Sequence, residues 1–364
     1  MIYALYLTET LLYLSFSLLM GTFIMHLIPS TKRPSIHIHK GWLQFSIIGI
    51  MLFSLMPVLY LIFMLFNDTG ISLRVQDVFL SFRVGKAWII TFIISVFFYL
   101  FVTFFPVLKN KRYSFISVIF LVLLIFTIGW ASHPASLNES TGFIYHSIHF
   151  TAVSVWVGTL LIVSWFSKNQ ENWLAFLKWF TPTAIICLGL TILSGFLIMS
   201  LIVDAKDYAN SWMLNYGQAL LIKHVIIVPI LIFAYINGFW IKKHLQKGSN
   251  FNPKPWTKAE SILLLLIFTA TAVLGQQEPP KEIETTVNGS GVSPLFQYIY
   301  GGTLPPSLPV QFELNFMNIS LFGISAIFFI LVLWSYIKKV PAASLFLSLF
   351  LVISIYLSLM FSIQ

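Results

Sequence analysis

Charge is scarce in this sequence. Only 9% of its 364 residues are Asp, Glu, Lys or Arg, where a soluble domain carries about a quarter, and that shortage excludes a water-soluble enzyme. Cysteine is scarcer still. The single Cys187 sits inside an apolar run, so neither a disulfide framework nor a thiolate metal cage is available. No phosphate-cradling Gly loop, HExxH pair or nucleophile elbow occurs, and no enzymatic chemistry is expected. The acids are few and peripheral, which speaks against a proton relay of the usual kind. The N-terminal MIYALYLTETLLYL lacks a basic segment and contains Glu9, so it reads as a first span rather than a cleaved signal.

Apolar residues are abundant: 58% of the chain is hydrophobic and 17% aromatic, with a mean hydropathy of +0.89. They fall in runs that exceed the roughly 18 residues of a membrane span. The expected fold is an all-α polytopic transmembrane helix bundle of about ten spans. These lie near residues 3–29, 43–66, 87–108, 115–132, 143–166, 179–202, 218–241, 258–275, 317–337 and 341–361. Of the 21 basic residues, 15 fall in the loops that follow odd-numbered spans: Lys32, Arg33, Lys40, Lys109, Lys111, Arg112, Lys168, Lys178, Lys242, Lys243, Lys247, Lys254, Lys258, Lys338 and Lys339. The other loops carry most of the acids, Asp68, Asp77, Glu139, Asp204, Asp207, Glu278, Glu282 and Glu284. The positive-inside rule therefore places both termini outside. The net charge of +9 is spread over short loop clusters, so the expected partner is the lipid bilayer and no nucleic acid.

Three stretches differ in character. Residues 1–275 read as an eight-span core. Residues 276–316 are an extracellular Pro/Gly-rich loop, too short for a packed domain, that reads as a lid or as disordered chain. Residues 317–364 add two transmembrane helices without His or internal charge, an apolar appendage.

An ionisable residue inside a span is costly and marks a functional hypothesis. At a rise of about 1.5 Å per residue, Glu9 lies roughly 9 Å below the outer surface. Span 5 enters through TGFIYHSIHFTAVSVWVG, which puts His146 near the mouth and His149 at roughly 9 Å. Span 7 enters through NYGQALLIKH, which puts Lys223 and His224 at roughly 8–9 Å. His133, in WASHPAS, lies where span 4 leaves the membrane on the same side. Four spans thus bring ionisable groups to one shallow outer layer.

His146 and His149 are three apart and share a helix face that continues through Val153 to Trp156. Two imidazoles on one face, with a third from another helix, can hold a transition metal. The same residues would serve hydrogen bonds between helices or a polar tip at the interface. His149 is the first candidate ligand, with His133, His146 and His224 as companions. Lys223 would repel a cation, but it is rotated about 100° from its neighbour His224. Pairing of Lys223 with Glu9 at equal depth is preferred to Glu9 as a ligand, and snorkelling of the lysine is the alternative. A second set lies toward the cytoplasm: Met20, Met25, His26, His37 and His39. Thioether and imidazole suit Cu(I), so these residues form either an exit route or packing filler beside a solvated loop.

The stretch from about 125 to 245 resembles the copper resistance protein D (CopD) family. SHPA around His133 is similar to the family's Gly-His-Ala at a helix end, with Ser132 in place of Gly. HFTAVSVWVGTL is similar to its His-x6-Trp-Val-Gly segment, through His149, Trp156 and Gly158. NYGQALLIKHVIIVPILIFAYIN resembles its Tyr-Gly-x2-Leu-Leu-x-Lys segment ending in Asn, through Tyr216, Gly217, Leu220, Leu221, Lys223 and Asn237. The resemblance implies a multi-pass protein of the bacterial cytoplasmic membrane that handles copper ions, with uptake from the outer side. Copper would bind His149 with His133, His146 or His224, framed by Trp156 and Tyr216, while Lys223 fixes helix positions through Glu9. No copper-binding β-sandwich is seen in the chain, so a separate extracellular or periplasmic copper-binding protein is the expected donor. Two other readings use the same residues. In a haem-binding membrane redox protein, His149 and His224 would ligate iron from facing spans; an oxidase assembly factor would pass copper on without transporting it.

Overall fold

The computed structural model describes residues 1–65, 71–248, 251–280, 282–300 and 309–363. Asp68, counted among the loop acids, lies outside the described residues, as does part of the 276–316 connection. The helices are α1 (Ile2–Leu27), α2 (Lys40–Phe53), α3 (Met56–Met64), α4 (Ile71–Leu80), α5 (Arg83–Phe104), α6 (Lys111–Trp130), α7 (His133–Leu137), α8 (Glu139–Phe166) and α9 (Trp173–Ser200). Then α10 (Asn215–Tyr235) runs through a π-helical turn (Ile236–Trp240) into α11 (Ile241–Gln246). They are followed by α12 (Lys254–Leu274), α13 (Ile283–Ser290), α14 (Pro294–Tyr300), α15 (Phe316–Ile337) and α16 (Pro341–Met360). Among the described residues, ten helical stretches are long and apolar enough to cross a membrane: α1, α2 with α3, α5, α6, α8, α9, α10 with α11, α12, α15 and α16. Among the described residues there is no β-strand, only the isolated bridges Ile36–Ser167 and Phe312–Ile363. The expected all-α polytopic bundle is what the chain forms.

Local chemistry sets the ends of these helices. Asn138 caps α8 by accepting from the Thr141 N–H at 3.2 Å, and Glu139 adds an acid to the first turn, where the helix dipole favours it. Asn315 and Asn318 cap α15 reciprocally. Phe105 is extended because Pro106 follows it, and α5 stops there. Within the apolar helices, hydroxyls turn back onto their own carbonyls, as Ser15 does to Leu11, Thr22 to Leu18 and Ser164 to Leu160. Such back-bonding satisfies a hydroxyl within its own helix, where lipid offers no partner.

Contacts divide the chain into two compact units: Met1–Leu201 with Gly248–Lys254, and Ile202–Lys247 with Pro255–Gln364. In the first, α1 packs against α8, α2 and α6, and α8 packs against α9, α7 and α6. Within their most apolar windows, 72% of α8 and 61% of α1 is buried against 11% of α9, so α1 and α8 form the interior pair. Their backbones nearly touch. A methyl on Gly21 would stand 2.1 Å from the Gly158 carbonyl, and one on Gly158 would stand 2.2 Å from the Ser17 carbonyl oxygen. Ser17 and Ser154, one turn before each glycine, are fully buried, which makes a small-x3-small stripe on both helices.

In the second unit, α16 packs against α15 and α10, and α14 against α10 and α16. Trp212, Met213, Leu221 and Val225 share a core with Ile283, Phe296, Tyr356 and Met360. Gln218 links these parts: its Nε2 donates to the Trp212 carbonyl at 2.5 Å and to Met360 Sδ at 3.4 Å, and its Oε1 accepts from the Tyr356 hydroxyl. The two helices after residue 316 pack within this unit, α16 against α15 and α10. The 276–316 connection supplies α13 and α14, with Phe296 fully buried.

Candidate functional site

The first unit holds His133, His146, His149, Glu9 and Trp156. His146 and His149 are partly buried on α8. His149 Nδ1 lies 3.2 Å from Ser194 Oγ on α9, and Ser194 gives its own hydroxyl proton to the Leu190 carbonyl at 2.5 Å. With that proton committed, the contact favours Ser194 as acceptor from His149 Nδ1–H, the tautomer whose lone pair is on Nε2. Gly195 leaves room for the ring, since a methyl there would stand 3.3 Å from His149 Cε1. The helix contact at Gly21 and Gly158 brings α1 alongside. The Tyr13 hydroxyl donates to Glu9 Oε2 at 3.4 Å, and the Tyr13 and Phe16 rings meet Phe150 edge-on. The His146 ring lies against the same Phe150, centroids 6.1 Å apart. Trp156 is buried at 5% exposure, deeper along α8.

His133 opens α7 and is exposed. Arg83 fastens this corner, donating Nη1 to the Ala135 carbonyl at 2.9 Å and pairing Nη2 with Glu139 Oε1 at 3.1 Å.

The second unit holds His224, Lys223 and Tyr216 on α10. His224 Nδ1 is 2.6 Å from the hydroxyl of Tyr208, in the segment before α10. The Tyr208 ring stacks edge-on against Trp212, centroids 5.7 Å apart. Burial pushes the Tyr208 phenol above its ordinary pKa, so it keeps its proton across the neutral range. Lys223 is partly buried and Tyr216 buried. Glu9 and Lys223, the expected pair, belong to different units. Among the described residues no group of three or more His, Cys, Asp and Glu stands close enough to hold a metal ion.

Of the second set, Met20 and Met25 are buried in α1, and His26 Nδ1 donates to the Thr22 carbonyl at 2.8 Å. His37 and His39 are exposed with ring centroids 4.8 Å apart. Sequence reasoning passed over Ser194, Tyr208, Tyr13 and above all Glu260, a carboxyl 2% exposed within α12.

The fold and these side chains define a polytopic helical membrane protein with imidazoles inside or at the ends of its spans. Comparison with known proteins adds a family likeness. Residues 174–274 match the family model described as copper resistance protein D. The chain is also similar to the copper transport protein CutJ of Bacillus subtilis (strain 168), 26% identical over 229 residues that cover 57% of this chain and 41% of that protein. It thus spans about two fifths of the length of that curated relative. No solved structure matches. The expected resemblance to the copper resistance protein D family is borne out by both matches; the family model takes in NYGQALLIKH and begins after SHPA and HFTAVSVWVGTL.

Proposed function

We propose that this protein carries copper across a bacterial cytoplasmic membrane, taking it up from the outer side, and that it is a transporter rather than an enzyme. Copper is the cargo. His149 is its principal outer ligand, with His146 and His133 as further imidazoles along the entry, and His224 is a further candidate ligand within the second unit. A separate copper-binding protein outside the membrane delivers the ion.

Both similarities are to copper proteins, and the relative's name is that of a copper transporter. The observation that carries the site is the contact of His149 Nδ1 with Ser194 Oγ at 3.2 Å, whose own proton goes to the Leu190 carbonyl; this arrangement favours the tautomer with its proton on Nδ1 and its lone pair on Nε2, the form a soft cation needs. Imidazole must be neutral to ligate, so uptake should decline in acid.

Proteoliposomes containing a trapped Cu(I) chelator test this reading. Wild-type protein should admit copper faster than empty vesicles, and His149→Ala should slow entry by roughly tenfold or more. Entry equal to that of empty vesicles would contradict transport. Entry unchanged in the variant would contradict the site.

A further inference from the structure

An acid lies well inside a span of the second unit. Glu260 is six residues past Lys254, the first residue of α12, roughly 9 Å along the helix, and it is only 2% exposed. Its carboxyl accepts one hydrogen bond, from Asn237 Nδ2 at 2.6 Å. Asn237, itself 4% exposed, sits on the π-helical turn between α10 and α11, an irregularity that recurs at functional sites. The same amide nitrogen donates to the Trp256 carbonyl at 3.3 Å, which fixes the end of the amide that faces the carboxyl. Asn237 Oδ1, on the other side, has no hydrogen-bond partner.

A buried carboxylate is ordinarily matched by a cation. The charged and titratable groups near this end of the surrounding elements are Tyr235 on α10, Lys242, Lys243 and His244 on α11, Lys254 and Lys258 on α12, Tyr336 on α15, and Lys338 and Lys339 after it; Tyr216, Lys223 and His224 lie farther back along α10. Among the described residues none of them forms an ion pair with Glu260. His244 Nδ1 lies instead 2.8 Å from the Tyr336 hydroxyl and 3.0 Å from the Trp240 carbonyl. The Trp256 ring, against Phe233 at 6.0 Å and Tyr336 at 5.1 Å, adds an aromatic wall beside the pair.

We propose that Glu260, held by Asn237, is an intramembrane proton-binding site that exchanges one proton with water at the lysine-rich end of its span. A hydronium ion gives its proton to the carboxylate, leaving water and a neutral acid, and no other bond changes. The amide is a donor to Oε2 in both forms, so the proton is held on the second carboxylate oxygen. Each exchange changes the charge of the span by one. The site stands independently of the cargo; for a cation cargo it supplies a negative charge that a proton can cancel.

Dicyclohexylcarbodiimide, which modifies carboxyls that hold a proton in an apolar setting, tests this on the full chain in detergent, read by peptide mass. The expected result is one adduct on the Glu260 peptide, distinguishable from any on the Glu9 peptide. Its rate should fall about tenfold per pH unit on the alkaline side of a midpoint between about pH 5 and about pH 9, and the adduct should be lost in Glu260→Gln. Asn237→Ala keeps the carboxyl and should move the midpoint by about one pH unit or more. Labelling that is absent throughout that range, or constant across it, would overturn the proposal. An unmoved midpoint in Asn237→Ala would overturn the part given to the amide.

Discussion

Ser194 is 45 residues from His149 in sequence, yet its hydroxyl lies 3.2 Å from His149 Nδ1 and favours a proton on that nitrogen. Partners of this kind typically change metal affinity by about 10–100-fold. Ser194→Ala should therefore weaken copper binding by about that factor, measured by competition with a chelator of known affinity, and Ser194→Thr should restore most of it. A merely structural serine would change melting and leave affinity alone. Tyr208→Phe should likewise shift the imidazole NMR signals of His224, whose Nδ1 lies 2.6 Å from the phenol oxygen. The histidines and Glu9 were legible because an ionisable group stands out in an apolar run. Ser194 was not, because a serine in a membrane helix bonds its own carbonyl by default, as Ser194 does with Leu190. Glu260 hid for another reason. It follows Lys258 by two residues at the expected start of span 8 and reads as part of the interface, whereas α12 begins at Lys254 and carries it inside.

Helices were the most legible layer. Each expected span is present, and most boundaries differ from the helix ends by four residues or fewer. The early starts have a common cause: caps and polar first turns, such as Asn138–Glu139 before α8, lie outside the apolar run but inside the helix. The break between α2 and α3, at Ser54–Leu55, and the π-helical turn at Ile236–Trp240 leave hydropathy unchanged, so no apolar run reveals them. Nor does it show which helices touch. That information is in the glycines, and only once paired: Gly21 with Gly158 sets the closest approach of α1 and α8. Gly158→Val must push these backbones apart and should cost about 1–3 kcal/mol or more, read as a lower unfolding midpoint in detergent. Gly189→Ala, where a methyl meets nothing within 4 Å, should leave the midpoint unchanged or slightly raised.

At the scale of the whole molecule, the distribution of basic residues makes the simplest prediction. With 15 of 21 in the loops after odd-numbered spans, both termini should face outward. In a Cys187→Ser background, a cysteine at Lys247 should react with an impermeant maleimide only in inside-out vesicles, and one at Glu139 only in intact cells. The reverse pattern would invert the direction proposed for uptake. The arrangement of polar residues at this scale was less legible, because depth along a span says nothing of which unit a helix joins. The histidines expected in one outer layer fall on α7 and α8 of one unit and α10 of the other. The most direct measurement is the metal content and visible spectrum of purified, copper-loaded protein, wild type beside His149→Ala. About one copper per chain, lost in the variant and with no Soret band, is the predicted result. A Soret band, or a wild-type protein that retains no copper, would contradict the proposed copper site.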